Sequence, residues 1–492
     1  MPFQFDNSYA RLPGEFYSLV APTPVAQPSM IRVNPGLAEL LGADAEVLQS
    51  PAGLSVLAGN EICIGSVPLA MGYAGHQFGG FSPQLGDGRA VQLGEVIGTD
   101  GVRYDIQLKG SGPTRFSRRG DGRSALGPVL REYLVSEAMA VLDVPTTRAL
   151  AAVSTGESVM RDGMIAGGIL TRVAQSFVRV GTFQWLAARG DVENLKVLAD
   201  YVIDRHYPEA KESETPYRAL LDIVIERQAA LVAQWMQLGF IHGVMNTDNT
   251  AVSGETIDYG PCAFMDTYES NKTFSSIDHQ GRYGFGNQGP IAHWNLARFA
   301  ETLVPLLASD AERGVAIAEE ALDQFVEIYE RELQRRFTAK IGLATDGDVV
   351  LPKKDTDWAL VRELLTLMED GKADFTLVFR HLSGAFERNN DEKLVALFDC
   401  TKGITAWLIT WRARVSQAGE AAQALMQRSN PIFIPRNHRI EEVIAAGYNG
   451  DFEPFHRLYE VLQHPFDEQP KNAAYEAAPT DDEIVQATFC GT

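Results

Sequence analysis

Residues 242–249 read His-Gly-Val-Met-Asn-Thr-Asp-Asn, and nine residues after Asn249 the chain reads Asp258-Tyr259-Gly260. Both motifs fall in a stretch, 243–290, that lacks helical periodicity and is rich in Gly and polar residues. Helical patterning surrounds it. Val192–His206 and Tyr217–Leu238 read as helices before it, and Ala292–Leu307, Ala311–Ala339, Asp357–Asp370 and Asp391–Gly419 after it. Irregular stretches of that length inside a helical region are usually functional or mobile. Toward the N-terminus the texture changes. Ala90–Ile97 and Val102–Leu108 alternate apolar and polar residues around Gly98-Thr99-Asp100-Gly101, a strong hairpin signal. A loop dense in Gly and Arg follows Lys109, and then Val129, Leu130, Tyr133, Leu134 and Val141 fall at helical spacing. The chain reads as an α+β protein with a strand-rich N-terminal part and a larger helical C-terminal part.

In chain order the parts are a glycine loop (Gly86-Asp87-Gly88-Arg89), a strand, a tight hairpin, a strand ending in Lys109, a helix with Glu132, and the 242–260 motifs. This order resembles a protein kinase. There a glycine loop covers phosphates, a strand lysine pairs with phosphates and with a helix glutamate, and an H-R-D-L-x-x-x-N loop precedes a D-F-G metal ligand. The likeness implies a bilobal fold. Residues 1–60 would be an extension packed on the lobes, 61–190 the N-lobe, 191–465 the C-lobe and 466–492 a tail. Each part alone is weak. Glu137 competes with Glu132 on the same helix, a lysine at a strand end is ordinarily a solvated rim charge, and Arg172 and Arg179 read equally well as surface arginines. Val244 stands where a kinase carries its catalytic aspartate, and valine cannot accept a proton. Either the chain is silent or another base serves, Asp248 being the nearest carboxylate in the loop.

The 492 residues hold 43 basic and 64 acidic side chains, a net charge of −21, with 45% hydrophobic residues. That composition excludes a wholly disordered, collagen-like or low-complexity chain. So acidic a protein is a poor partner for duplex nucleic acid or anionic lipid, and no run of about 18 apolar residues is present to span a membrane. The first residues lack the pattern of a signal or transit peptide. The expectation is a cytoplasmic protein with neither a nucleic-acid nor a membrane partner. To hold ATP against its own charge it must build a local positive field. Lys109, Arg115, Arg118, Arg119, Arg123 and Arg131 are the candidates, with Arg172 and Arg179 adding to them. Asn249 and Asp258 are oxygen ligands suited to Mg²⁺ or Mn²⁺. The nine histidines show no metal-ligand spacing. His242 is expected to bond backbone near the loop, and His279, His293 and Trp294 to pack and anchor loops. Asp266, Glu269 and Asp278 read as substrate contacts or as nothing.

On longer blocks the chain resembles the selenoprotein O (SelO/YdiU) family of pseudokinase-fold protein adenylyltransferases over nearly its whole length. The blocks are NSYARLP, GYAGHQFGGFSPQLGDGRA, QLKGSGPTRFSRRGDGR, HGVMNTDN, DYGP, DHQGRYGFGNQGPIAHWNLARFAETL and NPIFIPRNHRIE. The resemblance implies ATP bound in a flipped orientation, its α-phosphate presented to the acceptor. AMP would pass to Ser, Thr or Tyr hydroxyls of protein substrates, the enzyme itself included. By the same resemblance Gly86, Gly88, Arg89, Lys109, Asp121, Gly122, Arg172, Arg179 and Asp258 would contact ATP, and Glu132 would pair with Lys109. Asn249 and Asp258 would hold the metal and Asp248 would accept the proton. Cys490 stands third from the end, where members of that family carry selenocysteine or cysteine. A disulfide from it to Cys262 and two independent thiols are both open. From the residues alone three functions stand: an AMP transferase, a phosphotransferase with Asp248 as a relocated base, and a silent nucleotide-binding scaffold.

Overall fold

The turn at Gly98–Gly101 closes as its residues demand. Gly98 donates its N–H to the Val102 carbonyl at 2.7 Å, and Gly101 takes a left-handed φ of 80°. The computed structural model describes residues 3–161, 163–343, 355–386 and 391–489. Its strands in chain order are β1 (Tyr17–Leu19), β2 (Ser29–Val33), β3 (Leu69–Met71), β4 (Gly75–Gln77), β5 (Gly80–Ser82), β6 (Ala90–Ile97), β7 (Arg103–Lys109), β8 (Ser124–Ala125), β9 (Arg148–Met160), β10 (Met164–Ala174), β11 (Phe240–Ile241) and β12 (Ala263–Phe264). The main sheet is antiparallel, in the order β1-β3-β6-β7-β10-β9-β2, with β8 paired to β10. Both β1 and β2 come from the first 60 residues, which thus supply the two flanks of the sheet. From residue 180 onward helices dominate, so the molecule is a mixed α/β protein with its antiparallel sheet in the N-terminal region.

Side-chain alternation covers both faces of the sheet. Ile106, Leu108, Ile169 and Val173 pack into one buried cluster with the short helices at Pro35–Leu40, Ala45–Gln49 and Pro51–Leu57. Leu170 and Ala174 point the other way, into a larger cluster with the Leu126–Val141, Pro216–Leu238 and Gln288–Leu307 helices. A third cluster, built around Trp407 and Trp411, joins the C-terminal helices.

Most expected helices form: Val192–His206, Pro216–Leu238, Gln288–Leu307 and Asp355–Asp370. Two long candidates break. The 311–339 pattern divides at Asp323 into Ala311–Leu322 and Gln324–Lys340, a bend that sends Phe325 inward to stack on His293 at 5.0 Å. The 391–419 pattern divides into Asp391–Val395 and Thr401–Val415 because the chain between them is tied down. Asp399 donates its N–H to the Gly371 carbonyl at 2.9 Å, and Phe398 is buried beside that glycine. Among the described residues no helix is long and apolar enough to cross a membrane.

The polar alternates of β7 do not face water. Lys109 lies opposite Leu170, Gln107 opposite Arg172 and Asp105 opposite Ala174, so these polar groups share the face that turns toward the helices. Asp105 meets Arg205 at 2.6 Å, and Arg205 also reaches Glu95 at 3.1 Å. Nearby, burial pushes the Glu255 carboxyl up to about 7, although Ser253 and the Gln175 N–H bond to it and pull it down. Because the folded value lies above the ordinary 4.5, Glu255 favours folding fully below that pH, and this contribution fades as pH rises through about 7. Glu255→Gln removes the ionisation and keeps an acceptor for Gln175. Its stability relative to the parent, from urea denaturation, is expected to rise by about 1 kcal/mol between pH 6 and pH 8. An identical difference at both pH values would show that Glu255 does not titrate there.

Candidate active site

The strands β11 and β12 pair antiparallel and close the base of the 242–262 segment, which brings the two motifs together. His242 stacks on Trp235 at 5.4 Å, and its Nε2 lies 2.9 Å from the Ile257 carbonyl, as a backbone-anchoring histidine should. Burial lowers its pKa and so favours the neutral ring. Thr247–Asn249 forms one 3₁₀ turn. Asp258 sits at a left-handed φ of 60°, a conformation that aspartate tolerates better than most residues, and its carboxylate is fixed by surrounding contacts.

Those contacts are three cations. Lys109 Nζ lies 3.1 Å from Asp258 Oδ1, Arg172 Nη1 bonds the same oxygen, and Arg179 Nη1 lies 3.0 Å from Oδ2. Burial would raise the Asp258 carboxyl, but Arg172, Lys109 and Arg179 outweigh it and hold the group well below the usual carboxylate range. Lys109 also meets Glu132 at 2.6 Å, and Arg172 reaches Glu132 at 3.3 Å. Glu137 is engaged elsewhere, with Arg148 at 2.7 Å and Asn34 at 2.7 Å, so Glu132 is the helix carboxylate at this site.

Above this cluster lies a cavity of about 560 Å³. Of the residues singled out in the sequence, Gly86, Gly88, Arg89, Lys109, Asp121, Gly122, Arg172, Asp248, Asn249 and Asp258 all line it. Glu132 lies behind Lys109. Arg179 sits beneath the floor, where its Nη1 also donates to the Asp248 carbonyl at 2.8 Å. Six basic side chains line the wall (Arg89, Lys109, Arg118, Arg123, Arg161 and Arg172) against four acidic ones (Asp87, Asp121, Asp248 and Asp258), an excess of positive charge inside a protein of net charge −21. Arg89 and Arg118 make no ion pair among the described residues. Other expected contributors to the field lie outside the cavity lining. Arg131 pairs with Glu441 across to the Asn437–Tyr448 helix, and Arg115 and Arg119 are exposed on the loop.

The glycine loop has a steric reason as well as an electrostatic one. Gly86 takes a φ of 78°, and a Cβ there would lie 2.3 Å from the Phe116 ring, so the loop must be bare to seat the 114–117 turn. Its central residue, Asp87, is a buried anchor that accepts from the Met71 N–H and from Gln107 Nε2, each at 3.1 Å. Asp121 is held by Arg161, 2.8 Å away, and caps the Arg123 N–H at 2.9 Å. Arg161, Gln77 and Phe78 were not picked out from the sequence, yet all three line the cavity. The dense glycine of 72–88 and the block of family resemblance around it marked the neighbourhood of the last two.

Asp248 is buried, with Gln77 Nε2 donating to its Oδ2 at 3.0 Å and Oδ1 left without a partner. Burial pushes its carboxyl up to about 6, against the Gln77 bond and Arg179. Val244 lines the cavity too and offers no base. Asn249 Nδ2 donates to the Val244 carbonyl at 2.9 Å, which leaves its Oδ1 as acceptor. Among the described residues there is no group of three or more His, Cys, Asp or Glu side chains that could hold a metal ion. The side-chain oxygens of Asn249 and Asp258 are of the type a hard cation takes when it draws one or two ligands from protein and the rest of its shell from phosphate and water.

The other loop residues have structural partners. Asp266 pairs with the buried Arg436, Glu269 with Lys272 at 2.6 Å, and Asp278 caps the Tyr283 N–H at 2.7 Å. Trp294 packs on His76 at 5.3 Å. Cys262 is buried, and Cys490 lies outside the described residues.

A cation-walled cavity floored by acidic oxygens marks a protein that handles a polyanionic substrate. The profile of the family described as Protein adenylyltransferase SelO matches residues 1–463. Proteins named Protein nucleotidyltransferase YdiU are similar along the whole chain. That of Rhodopseudomonas palustris strain HaA2 is 56% identical over 100% of this chain and 99% of its own length. Those of Nitrobacter hamburgensis and Rhizobium meliloti are each 54% identical over 100% of this chain, covering 97% and 99% of their own lengths. The chain belongs to the SelO/YdiU family. It is a nucleotidyltransferase, an activity that implies a nucleotide, ATP at the level of the family, as substrate.

Proposed function

We propose that this enzyme transfers AMP from ATP to Ser, Thr or Tyr hydroxyls of cytoplasmic proteins, itself included, with the nucleotide held flipped in a bilobal kinase-like frame. Residues 61–190 would form the N-lobe, with 1–60 packed against the lobes, 191–465 the C-lobe and 466–492 the tail. The observation that carries this reading is the convergence of Lys109, Arg172 and Arg179 on one carboxylate, Asp258, beside the unpartnered Oδ1 of Asp248. Glu132 shares Lys109 and Arg172, so the surplus of positive charge lies on the cavity wall, six basic side chains to four acidic, where a triphosphate would neutralise it. Arg89 and Arg118, from the glycine loop and the arginine-rich loop, are placed to grip the outer phosphates.

In this reading the acceptor hydroxyl oxygen attacks the α-phosphorus, the bond from that phosphorus to the β-bridging oxygen breaks, and pyrophosphate leaves. The hydroxyl proton passes to Asp248, which takes the place of the base missing at Val244. Gly86, Gly88, Asp121 and Gly122 shape the loops that face the nucleotide, and Glu132 orients Lys109. Asn249 and Asp258 would hold Mg²⁺ or Mn²⁺, which supplies charge neutralisation on the phosphates.

Incubation with ATP labelled at the α- or the γ-phosphate tests the reading. Label from the α position is expected in protein and none from the γ position. Protein label from the γ position would instead make the enzyme a phosphotransferase. Binding of ATP without any transfer would make it a scaffold.

A further inference from the structure

The glycine-dense stretch before the Gly86 loop has a role that the reaction above does not assign. It folds as the β4–β5 hairpin, with Phe78 and Gly79 at the turn and both at positive φ, 51° and 82°. Two positive φ values in a two-residue turn match the twist of the strands, and a bulky phenylalanine is a costly choice there. Three successive residues of the hairpin bond three successive residues of the 242–249 loop. His76 donates its N–H to Thr247 Oγ1 at 2.7 Å, Gln77 Nε2 donates to Asp248 Oδ2 at 3.0 Å, and Phe78 donates its N–H to Asn246 Oδ1 at 3.2 Å. The approach is close: a Cβ on Gly75 would lie 2.5 Å from Asp248 Oδ1. The hairpin is held from behind as well, with Ala74 donating to the Gly181 carbonyl at 2.9 Å and Thr247 donating its hydroxyl to Gln184 Oε1 at 2.7 Å.

A carboxylate turns easily about its last bond, since that torsion is broad and two-fold. Among the described residues Gln77 is the one side chain that hydrogen-bonds the Asp248 carboxylate, and it takes one oxygen only. We propose that Gln77 is a positioning residue for nucleotidyl transfer: its amide on Oδ2, with the Gly75 backbone packed against Oδ1, fixes the plane of the Asp248 carboxylate for the acceptor hydroxyl. This rests on the reading of Asp248 as proton acceptor. Gln77 touches the base rather than the reacting atoms, so its loss should slow turnover without weakening the hold on the nucleotide.

The test uses the full chain, ATP labelled at the α-phosphate, and α-casein as added acceptor. Initial rates are read as label in precipitated protein, and ATP affinity is measured by calorimetry. Gln77→Ala is expected to lower kcat by about 10–100-fold, as a misaligned reacting group does, with the ATP Kd changed by less than about twofold. Gln77→Glu keeps the shape but loses the amide donor, and should match it. In an Asp248→Ala background, Gln77→Ala should cost less than about twofold more, because residues acting as a unit are not additive. Should Gln77→Ala fail to fold, Gln77→Glu carries the same criteria. If both Gln77 variants keep full kcat while Asp248→Ala loses it, the positioning role falls and the base assignment stands. Full activity in Asp248→Ala itself would bring down both. A loss of ATP affinity equal to the loss of kcat would reduce Gln77 to structural support and overturn the proposal.

Discussion

Asp258→Asn is expected to abolish AMP transfer, by about a thousandfold or more, and to weaken the nucleotide-free protein at the same time. The activity loss follows from the proposed role of the carboxylate, which lines the cavity and would hold a divalent cation there by charge rather than shape. The stability loss follows from the three cations. Lys109, Arg172 and Arg179 are all buried, and among the described residues the asparagine leaves them Glu132 and, near Arg179, Asp248 and the more distant Asp87 at 4.0 Å as neutralising groups. Stripping a buried charge of its partner costs about 3 kcal/mol or more. Saturating ATP should restore part of that, because its phosphates take over the neutralisation. Transfer of α-label and urea denaturation with and without ATP measure both. A variant that transfers AMP within tenfold of the parent rate, or that melts like it, would remove Asp258 from the centre of the site.

Asp248→Ala should behave differently. Proton acceptance contributes mainly in the transition state, so kcat is expected to fall by about 10²–10⁴ while the ATP Kd stays within about threefold. The structure makes this a clean substitution. Arg179 is held by the main-chain carbonyl of Asp248, and the loop is pinned independently through Thr247 and Asn246, so losing the side chain leaves the loop in place. Calorimetry with ATP and initial rates of α-label transfer separate the two quantities. Equal loss in both would mean that Asp248 holds the nucleotide rather than the proton.

Much of this site was legible because its residues follow local rules. The Gly98–Gly101 turn, the alternation of β6 and β7 and the periodicity of Leu126–Val141 place Lys109 at a strand end and Glu132 on a helix without reference to anything distant. Choosing between Glu132 and Glu137 was beyond local rules. Both lie on the same helix and are buried, and only the packing of β9 and β2 shows that Glu137 is taken by Arg148 and Asn34. Arg131 failed for the matching reason. Its neighbours in sequence belong to the arginine-rich segment, but helix geometry points it at Glu441, away from the cavity. Gln77 fell inside a block of the family resemblance without any role assigned to it, Arg161 carried no motif, and their place at the site comes from hairpins that return from other parts of the chain.

The sequence by itself determined the order of elements, a largely irregular stretch from 243 to the helix that begins at Gln288, the apolar residue at Val244 and the surplus of arginine after Lys109, since composition, periodicity and spacing are properties of the chain read along its length. Tertiary structure decided which charges meet. Strand β10 sets Arg172 beside Gln107, the β11–β12 pair folds Asp258 back, and the polar face of β7, which an isolated strand would offer to water, is buried against the helices. Electrostatic energy depends on distance and on exclusion of water, and neither is written in the order of the residues.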